Sequence, residues 1–289
     1  MVERGDMVYA WATDPEVRKR GTCSGAVTAL LRFALEAGIV DAVLAIKKGK
    51  DICDAVPALI TNPGDVIGTA GSMHCCTLFL SKHVKKYLDE NQGMKIAVPV
   101  RGCDLIGMQQ LARRGQLNPD NVLMIGLNCG GTMNPQTARE MIREKYGVDP
   151  DTVVKEEISK GEFIIHTADG LRKGIPIDEL EEEGYGRRCN CRRCTIKIPR
   201  DADLACGSWG VIGEMAGRAT FIEIGTEKGA DLMTRAVEAG AVAIGPAHER
   251  GVEIRGRIER VMIRHAERWR KHQKERPGER RKRPERAVP

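Results

Sequence analysis

Ten cysteines fall in this 289-residue chain, and four of them are placed for metal or redox chemistry. Cys191 and Cys194 form a C-x-x-C pair in "NCRRCTIK", while Cys103 and Cys129 each stand where a short apolar run ends, in "KIAVPVRGCDL" and "NVLMIGLNCGG". A strand that gives way to a turn can aim a thiolate into a pocket, and four such thiolates suit a 4Fe–4S cluster. The same pair also fits a zinc knuckle or a redox dithiol. Zinc ribbons usually supply two knuckles of like spacing, whereas the upstream partners here are single and distant. A thioredoxin-type dithiol opens a helix after a strand, whereas "CRRCTIKIPRDADL" reads as a loop rich in charge. Iron–sulfur leads, with zinc and dithiol left open. Cys189, Cys206 and the adjacent Cys75 and Cys76 are alternative ligands, and Cys23 and Cys53 read as small hydrophobes.

Three turns of small residues accompany the cysteines. "GTCSGAVTALL" opens a helix, and the free N–H groups of a first helical turn favour an anion such as a phosphate. An ordinary serine cap at Ser24 explains the same residues. "TAGSMH", ending at His74, and "ACGSWG", which carries Trp209, are turns that let a backbone approach a cofactor closely.

Positioning these residues falls to alternating helices and strands from Gly21 to about Pro150. The helix "SGAVTALLRFALEAG" puts Val27, Leu30, Leu31, Ala34 and Leu35 on one face and stops at Gly38. The strand "IVDAVLAI", a helix over 77–88, the strand "KIAVPV", a helix over 105–114, the strand "NVLMIGL" and a helix over 135–146 follow. Such alternation predicts an α/β fold with a largely parallel or mixed sheet and flanking helices. "GVDPDTVVKEEI" reads as a linker into a smaller α+β region that carries the C-x-x-C motif and a hairpin turning at Ala168–Gly170. Three regions are expected: 1–150, 151–253, and 254–289 as a C-terminal helix with a basic tail. Ile254, Ile258, Val261, Met262, His265 and Trp269 form that helix's stripe.

Composition limits the function classes. From Arg264 onward eleven Lys or Arg face four Glu, a surplus of +7, so the rest of a chain of net charge +6 carries about −1. A nucleic-acid-binding domain carries its basic surplus on the folded body with aromatics interleaved, which is not the case here. No stretch approaches a membrane span or a secretory leader, so the chain reads as cytoplasmic, without membrane insertion, and with reduced thiols.

Together, "SGAVTALLRFALEAG", "TAGSMH", "VRGCDL", "IGLNCGGT" and "CRRCTIKIPRDADLACGSWGVIG" resemble, in order and out to about Arg268, the coenzyme F420 hydrogenase/dehydrogenase beta subunit family. The resemblance is strongest to its formate dehydrogenase branch in methanogenic archaea. It implies FAD and one 4Fe–4S cluster in an α/β fold, with coenzyme F420 as the substrate. It implies Cys103, Cys129, Cys191 and Cys194 as cluster ligands. It places the FAD pyrophosphate near Ser24, Gly25, Ala26, Val27 and Thr28. Gly71, Ser72 and His74, with Gly207, Ser208, Trp209 and Gly210, then border the flavin.

No catalytic side chain is implied, since the flavin converts single electrons into a hydride. The implied partner is a formate-oxidising catalytic alpha subunit, with hydrogenase subunits as second choice, within a larger redox complex such as heterodisulfide reductase. Arg101, Arg187, Arg188, Arg192 and Arg193 are candidates for the charge that receives the phosphate and polyglutamate tail of coenzyme F420. Two departures stand out: Met73 occupies a position where hydrogenase-type relatives carry Lys, and no ferredoxin-like extension follows. A zinc-stabilised interaction module, a flavoprotein for another acceptor and a purely structural subunit are the rival readings.

Overall fold

The apolar runs form strands, and the small-residue helix becomes a buried spine behind them. The computed structural model describes residues 1–275, with side chains described through Lys271. From the start, β1 (Met7–Ala12), α1 (Pro15–Arg20) and α2 (Ala26–Glu36) lead into an antiparallel pair, β2 (Ala42–Lys48) and β3 (Ala55–Ile60). Next come α3 (Ser81–Glu90), β4 (Ile96–Val100), α4 (Gly102–Arg113), β5 (Val122–Leu127) and α5 (Pro135–Met141). A small unit follows: β6 (Val153–Ser159), β7 (Glu162–Thr167), β8 (Arg172–Pro176), α6 (Ile177–Glu182) and α7 (Cys189–Arg193). The described chain closes with β9 (Leu204–Gly207), β10 (Thr220–Ile224), α8 (Glu227–Glu238), β11 (Val242–Pro246) and α9 (Glu249–Glu275).

The main sheet has the order β11-β1-β10-β9-β5-β4-β2-β3. Its central strands β9, β5, β4 and β2 run parallel, and the outer pairings are antiparallel. This is the mixed α/β sheet that the helix–strand alternation predicts. Alternate residues of one strand serve opposite cores, as the two-residue period of a strand requires. Val43 and Ala45 face α2 and α8, while Ala42 and Leu44 face Leu80, Val84 and Met108. Leu30, Leu31, Ala34 and Leu35 of α2 are all buried, and full burial of each leucine contributes roughly 1.5–3 kcal/mol.

The structure departs from the sequence expectations where tertiary contacts override local pattern. The segment read as a linker contains β6, because Val153 and its neighbours pair with β7 to build the separate sheet β6-β7-β8. That sheet packs Phe163 and Ile165 onto Ala138, Met141 and Ile142. The border expected at 150 is crossed by the main sheet, since β9, β10 and β11 join strands of the first 150 residues. The helix expected from Thr77 starts at Ser81, because Asp104 captures the Leu80 N–H at 2.8 Å and leaves the preceding residues extended. The C-x-x-C segment is one helical turn rather than a loop. The last helix starts at Glu249, five residues early; His265 on it is exposed, and its buried side is led by Gly251, Arg255 and Ala266. The basic tail beyond Glu275 lies outside the described residues. Among the described residues, no helix is long and apolar enough to cross a membrane.

Candidate functional site

Parallel strands present their carboxyl ends along one edge, the usual place for ligands in open α/β sheets. Cys103 follows β4 there, Cys129 follows β5, and the turn at 207–210 follows β9. The C-x-x-C turn is drawn to the same edge by glycines that leave room for it. A Cβ on Gly131 would lie 2.9 Å from the Cβ of Cys191, and one on Gly102 would lie 2.3 Å from the carbonyl oxygen of Ile196. The Cys129 N–H donates to the Lys197 carbonyl at 2.9 Å, tying the second loop to the strand after Cys194.

The four thiols act on one another electrostatically: Cys103 on Cys129 and Cys194, and Cys129 on Cys191. Burial pushes the Cys103 thiol up to about 12, helped by the Asp104 carboxylate, and burial also raises Cys129. Cys191 goes the other way. Its partial burial is outweighed by the Thr132 N–H at 3.4 Å and the Arg188 guanidinium at 3.7 Å, so its thiolate forms more readily than usual. Among the described residues, no three His, Cys, Asp or Glu side chains are close enough as they stand to hold a metal ion. A tetrahedral zinc site draws its sulfurs to about 2.3 Å from a common point, whereas a cubic cluster holds them farther apart. The thiols lie near one another and near cationic side chains, and cysteine sulfurs are soft donors of the kind that bind zinc and iron–sulfur clusters.

Those cations are Arg101, Arg188 and Lys197. Asp104, 1 % exposed, accepts from the Arg101 backbone N–H at 3.3 Å and from its Nε at 2.9 Å, holding the guanidinium beside Cys103 and Cys129. Arg101 and Arg188 lie 5.8 Å from the ring of the exposed Phe79. Of the five arginines expected to receive the coenzyme F420 tail, these two lie beside the thiols. Arg187 is held by Glu181 through bonds of 2.6 and 2.9 Å, Arg192 binds the Arg187 carbonyl at 3.0 Å, and Arg193 stacks on Trp269. A cleft of about 300 Å³ shares Phe79 with this edge and continues past Cys53, Cys76, Leu78 and Lys82. It includes none of the three turns.

The alternative cysteines separate by environment. Cys189 is exposed, and Cys206 is fully buried in the core, where burial pushes it up to about 12. Cys75 donates to Glu156 at 2.9 Å and touches Cys53, so this pair forms a second, separate thiol cluster.

The three small-residue turns meet. Thr22 and Ser72 share a hydroxyl hydrogen bond of 2.9 Å, Cys23 bonds Ser208, and the Thr220 hydroxyl donates to the Cys23 carbonyl at 2.7 Å. Cys23, Ser24 and Gly25 adopt φ of 50°, 64° and 70°, three successive left-handed residues before α2. Ser24 is buried but provides no cap, so the first N–H groups of α2, at Ala26, Val27 and Thr28, have no side-chain acceptor. Gly71, with φ 104°, sits against the Arg20 carbonyl. Glu156, 2 % exposed, accepts from the backbone of both His74 and Cys75 and so fixes the second turn. His74 Nδ1 is buried and finds no hydrogen-bond partner among the described residues. In the third turn Gly207 lies against the Asn128 side chain, Ser208 is exposed, Trp209 is half-buried, and Gly210 packs on Gly251 and Arg255. An uncapped helix start and an orphaned imidazole nitrogen fit an anionic, hydrogen-bonding cofactor.

Gly25→Ala is expected to cost about 3 kcal/mol of stability. The new Cβ would lie 2.5 Å from the Val17 carbonyl oxygen in a left-handed backbone. Gly38→Ala, at φ 64° with open space around it, should lose only about 1 kcal/mol. Thermal unfolding of the two variants checks the difference.

Glu156, Lys197 and Arg255 escaped the sequence reading. Only Lys197 left a trace, as a charge between two isoleucines in "TIKIPR".

Known proteins share the sequence pattern and the fold. The family profile for the N-terminal part of the coenzyme F420 hydrogenase/dehydrogenase beta subunit matches residues 7–85, and the profile for its C-terminal part matches residues 93–250. The chain belongs to the coenzyme F420 hydrogenase/dehydrogenase beta subunit family. It is 51 % identical over 262 residues to the F420-dependent formate dehydrogenase 1 subunit beta of Methanococcus maripaludis, covering 91 % of this chain and 67 % of that one. It is 47 % identical to the F420-dependent formate dehydrogenase subunit beta of Methanocaldococcus jannaschii, covering 91 % and 68 %. A chain in the xenon-derivatised structure of the F420-reducing [NiFe] hydrogenase complex from Methanosarcina barkeri superposes with a TM-score of 0.80 at 21 % identity. That match covers 96 % of this chain and 95 % of the other and shows a shared fold.

Proposed function

We propose that the chain is an electron-transfer oxidoreductase subunit. It takes electrons from a formate-oxidising catalytic subunit through a 4Fe–4S cluster and FAD, and delivers them to coenzyme F420 as hydride. One observation carries the reading: four thiols and three cofactor-type turns share one sheet edge in a chain of this family. The cluster supplies one-electron transfer, and the flavin joins single electrons into a hydride.

The protein's part is positioning and electrostatics. Cys103, Cys129, Cys191 and Cys194 would hold the cluster, releasing their protons as metal binds. The Thr132 N–H and the Arg188 guanidinium stabilise charge on the Cys191 sulfur. The N–H groups at Ala26, Val27 and Thr28, with Ser24 and Gly25, would receive the FAD pyrophosphate. Gly71, Ser72 and His74, with Gly207, Ser208, Trp209 and Gly210, would border its ring, and His74 Nδ1 would take the hydrogen bond it lacks.

Formate is favoured over hydrogen by the two relatives at 51 % and 47 % identity, both named for formate dehydrogenase. The hydrogenase reading draws on the coenzyme F420 hydrogenase subunit beta of Methanothermobacter thermautotrophicus, 29 % identical over 255 residues. Anaerobic purification followed by iron, sulfide, zinc and flavin analysis tests the proposal, with coenzyme F420 reduction assayed on formate and on hydrogen in the presence of the donor subunit. Iron, sulfide and FAD with formate-driven reduction are expected. Stoichiometric zinc in a colourless protein overturns the reading.

A further inference from the structure

Two of the largest fully buried side chains are cations, Arg255 and Lys197, each 1 % exposed. They are compensated differently. Arg255 meets the Glu223 carboxylate at 2.5 Å. Lys197 Nζ has only carbonyl partners, Gly130 at 3.5 Å and Cys191 at 3.3 Å, and no carboxylate is paired with it among the described residues. A lysine almost never buries its ammonium without a counter-charge, because the lost hydration costs several kcal/mol. Burial lowers the Lys197 pKa and Arg187 adds to that, while the groups that favour its charge are the sulfurs of Cys194, Cys129 and Cys191. Protonated thiols are neutral and leave an ammonium there uncompensated.

We propose that Lys197 is the internal counter-cation of a thiolate-bound cluster and holds that cluster's reduction potential up. This rests on the iron–sulfur reading above. Reduction moves one electron from the donor onto the cluster, with no bond made and no proton moved, so the site gains one negative charge. A fixed positive charge within the site stabilises the reduced form more than the oxidised one, which raises the potential. The chain backbone enforces the position, since the Lys197 carbonyl accepts from the Cys129 N–H at 2.9 Å and Ile198 and Pro199 behind it are buried. Lys197 is a positioning and electrostatic residue, not a catalytic one.

The test uses anaerobically purified full-length protein, native and with Lys197→Met or Lys197→Arg. Lys197→Met should keep native iron and lower the equilibrium constant for one-electron reduction at least tenfold, a 59 mV fall in the midpoint followed by EPR. Lys197→Arg, which keeps the charge, should stay within threefold of native. Arg193→Met, which removes an exposed charge stacked on Trp269, should shift the constant less than twofold. A second readout is the iron-free protein, where Lys197→Met should unfold at a higher temperature than native because an unpaired buried charge is gone. Native iron content with an unchanged potential overturns the proposal and leaves the iron–sulfur reading standing. A less stable iron-free Lys197→Met also overturns it and makes the side chain a packing element. Native protein without iron or sulfide overturns the reading beneath both.

Discussion

Cys129→Ser is expected to empty the proposed iron–sulfur site and abolish the proposed formate-driven reduction of coenzyme F420, while the protein stays folded and keeps any flavin it binds. Serine matches cysteine in shape, so the backbone bond from residue 129 to the Lys197 carbonyl and the packing of the loop survive. What disappears is a soft, ionisable donor facing Cys103 and Cys191. Loss of outer partners of a metal site typically costs ~10–100-fold in metal affinity or activity. Removal of a direct ligand should exceed that and leave activity at background. The three small-residue turns proposed to border the flavin are held by Thr22, Ser72, Cys23, Ser208 and Glu156, none of which bonds Cys129. Cys189→Ser, on an exposed thiol only two residues from Cys191, is the matched control and should keep its iron. Iron analysis, the visible spectrum and turnover on formate read the outcome. Native iron in Cys129→Ser would rule the ligand set out.

Arg255→Ala is expected to cost about 3–5 kcal/mol, the usual penalty for breaking a buried ion pair from one side. Its guanidinium binds the Glu223 carboxylate at 2.5 Å, the Ala205 carbonyl at 3.1 Å, and the Trp209 carbonyl and Asn128 Oδ1 at 3.3 Å each. One side chain therefore pins α9 to β9, β10, the loop before Cys129 and the third turn. Burial works to lower the Arg255 pKa, and the Glu223 carboxylate opposes it. At ~2–4 °C per kcal/mol for a protein approaching this size, the melting temperature should fall by about 10 °C. Arg255→Lys should rescue little, because an ammonium cannot reproduce the planar fork of donors. The double variant Glu223→Gln/Arg255→Met should lose less than Arg255→Met alone, since no carboxylate is then left buried against a missing partner. Arg200 still reaches residue 223 at 2.6 Å, so the network is loosened rather than erased. Calorimetry on the holo-protein measures all four, and a loss under about 1 kcal/mol in Arg255→Ala would remove the network from the account.

Much of the architecture was legible because it is written in local periodicity. α2 shows its apolar face at helical spacing, β4 and β5 are short apolar runs, and the turn at Ala168–Gly170 closes a hairpin between β7 and β8. These features depend on neighbours a few residues away. The elements misread depend on distant ones. β6 is polar enough to pass for a linker until β7 pairs with it, and α3 starts late because Asp104, twenty-four residues on, takes the Leu80 N–H. The stripe on α9 holds in part, with Ile254, Ile258, Val261, Met262 and Trp269 half-buried and His265 exposed, but it misses Arg255, an arginine that ranks as polar in any pattern yet is buried against Glu223.

Local periodicity carries most of the helices and strands, and the residues themselves carry the cysteine inventory and a set of motifs whose order marks the family. The folded chain sorts the thiols, since Cys75 turns to Cys53 and Glu156 while Cys103, Cys129, Cys191 and Cys194 act on each other. It alone decided that three small-residue turns join, that Arg187 is neutralised by Glu181, and that Lys197 is sealed inside. The physical reason is range. Backbone preference and hydrophobic period act along the chain, whereas burial, ion pairing and thiol electrostatics act through space, across a sheet whose strand order mixes both halves of the sequence.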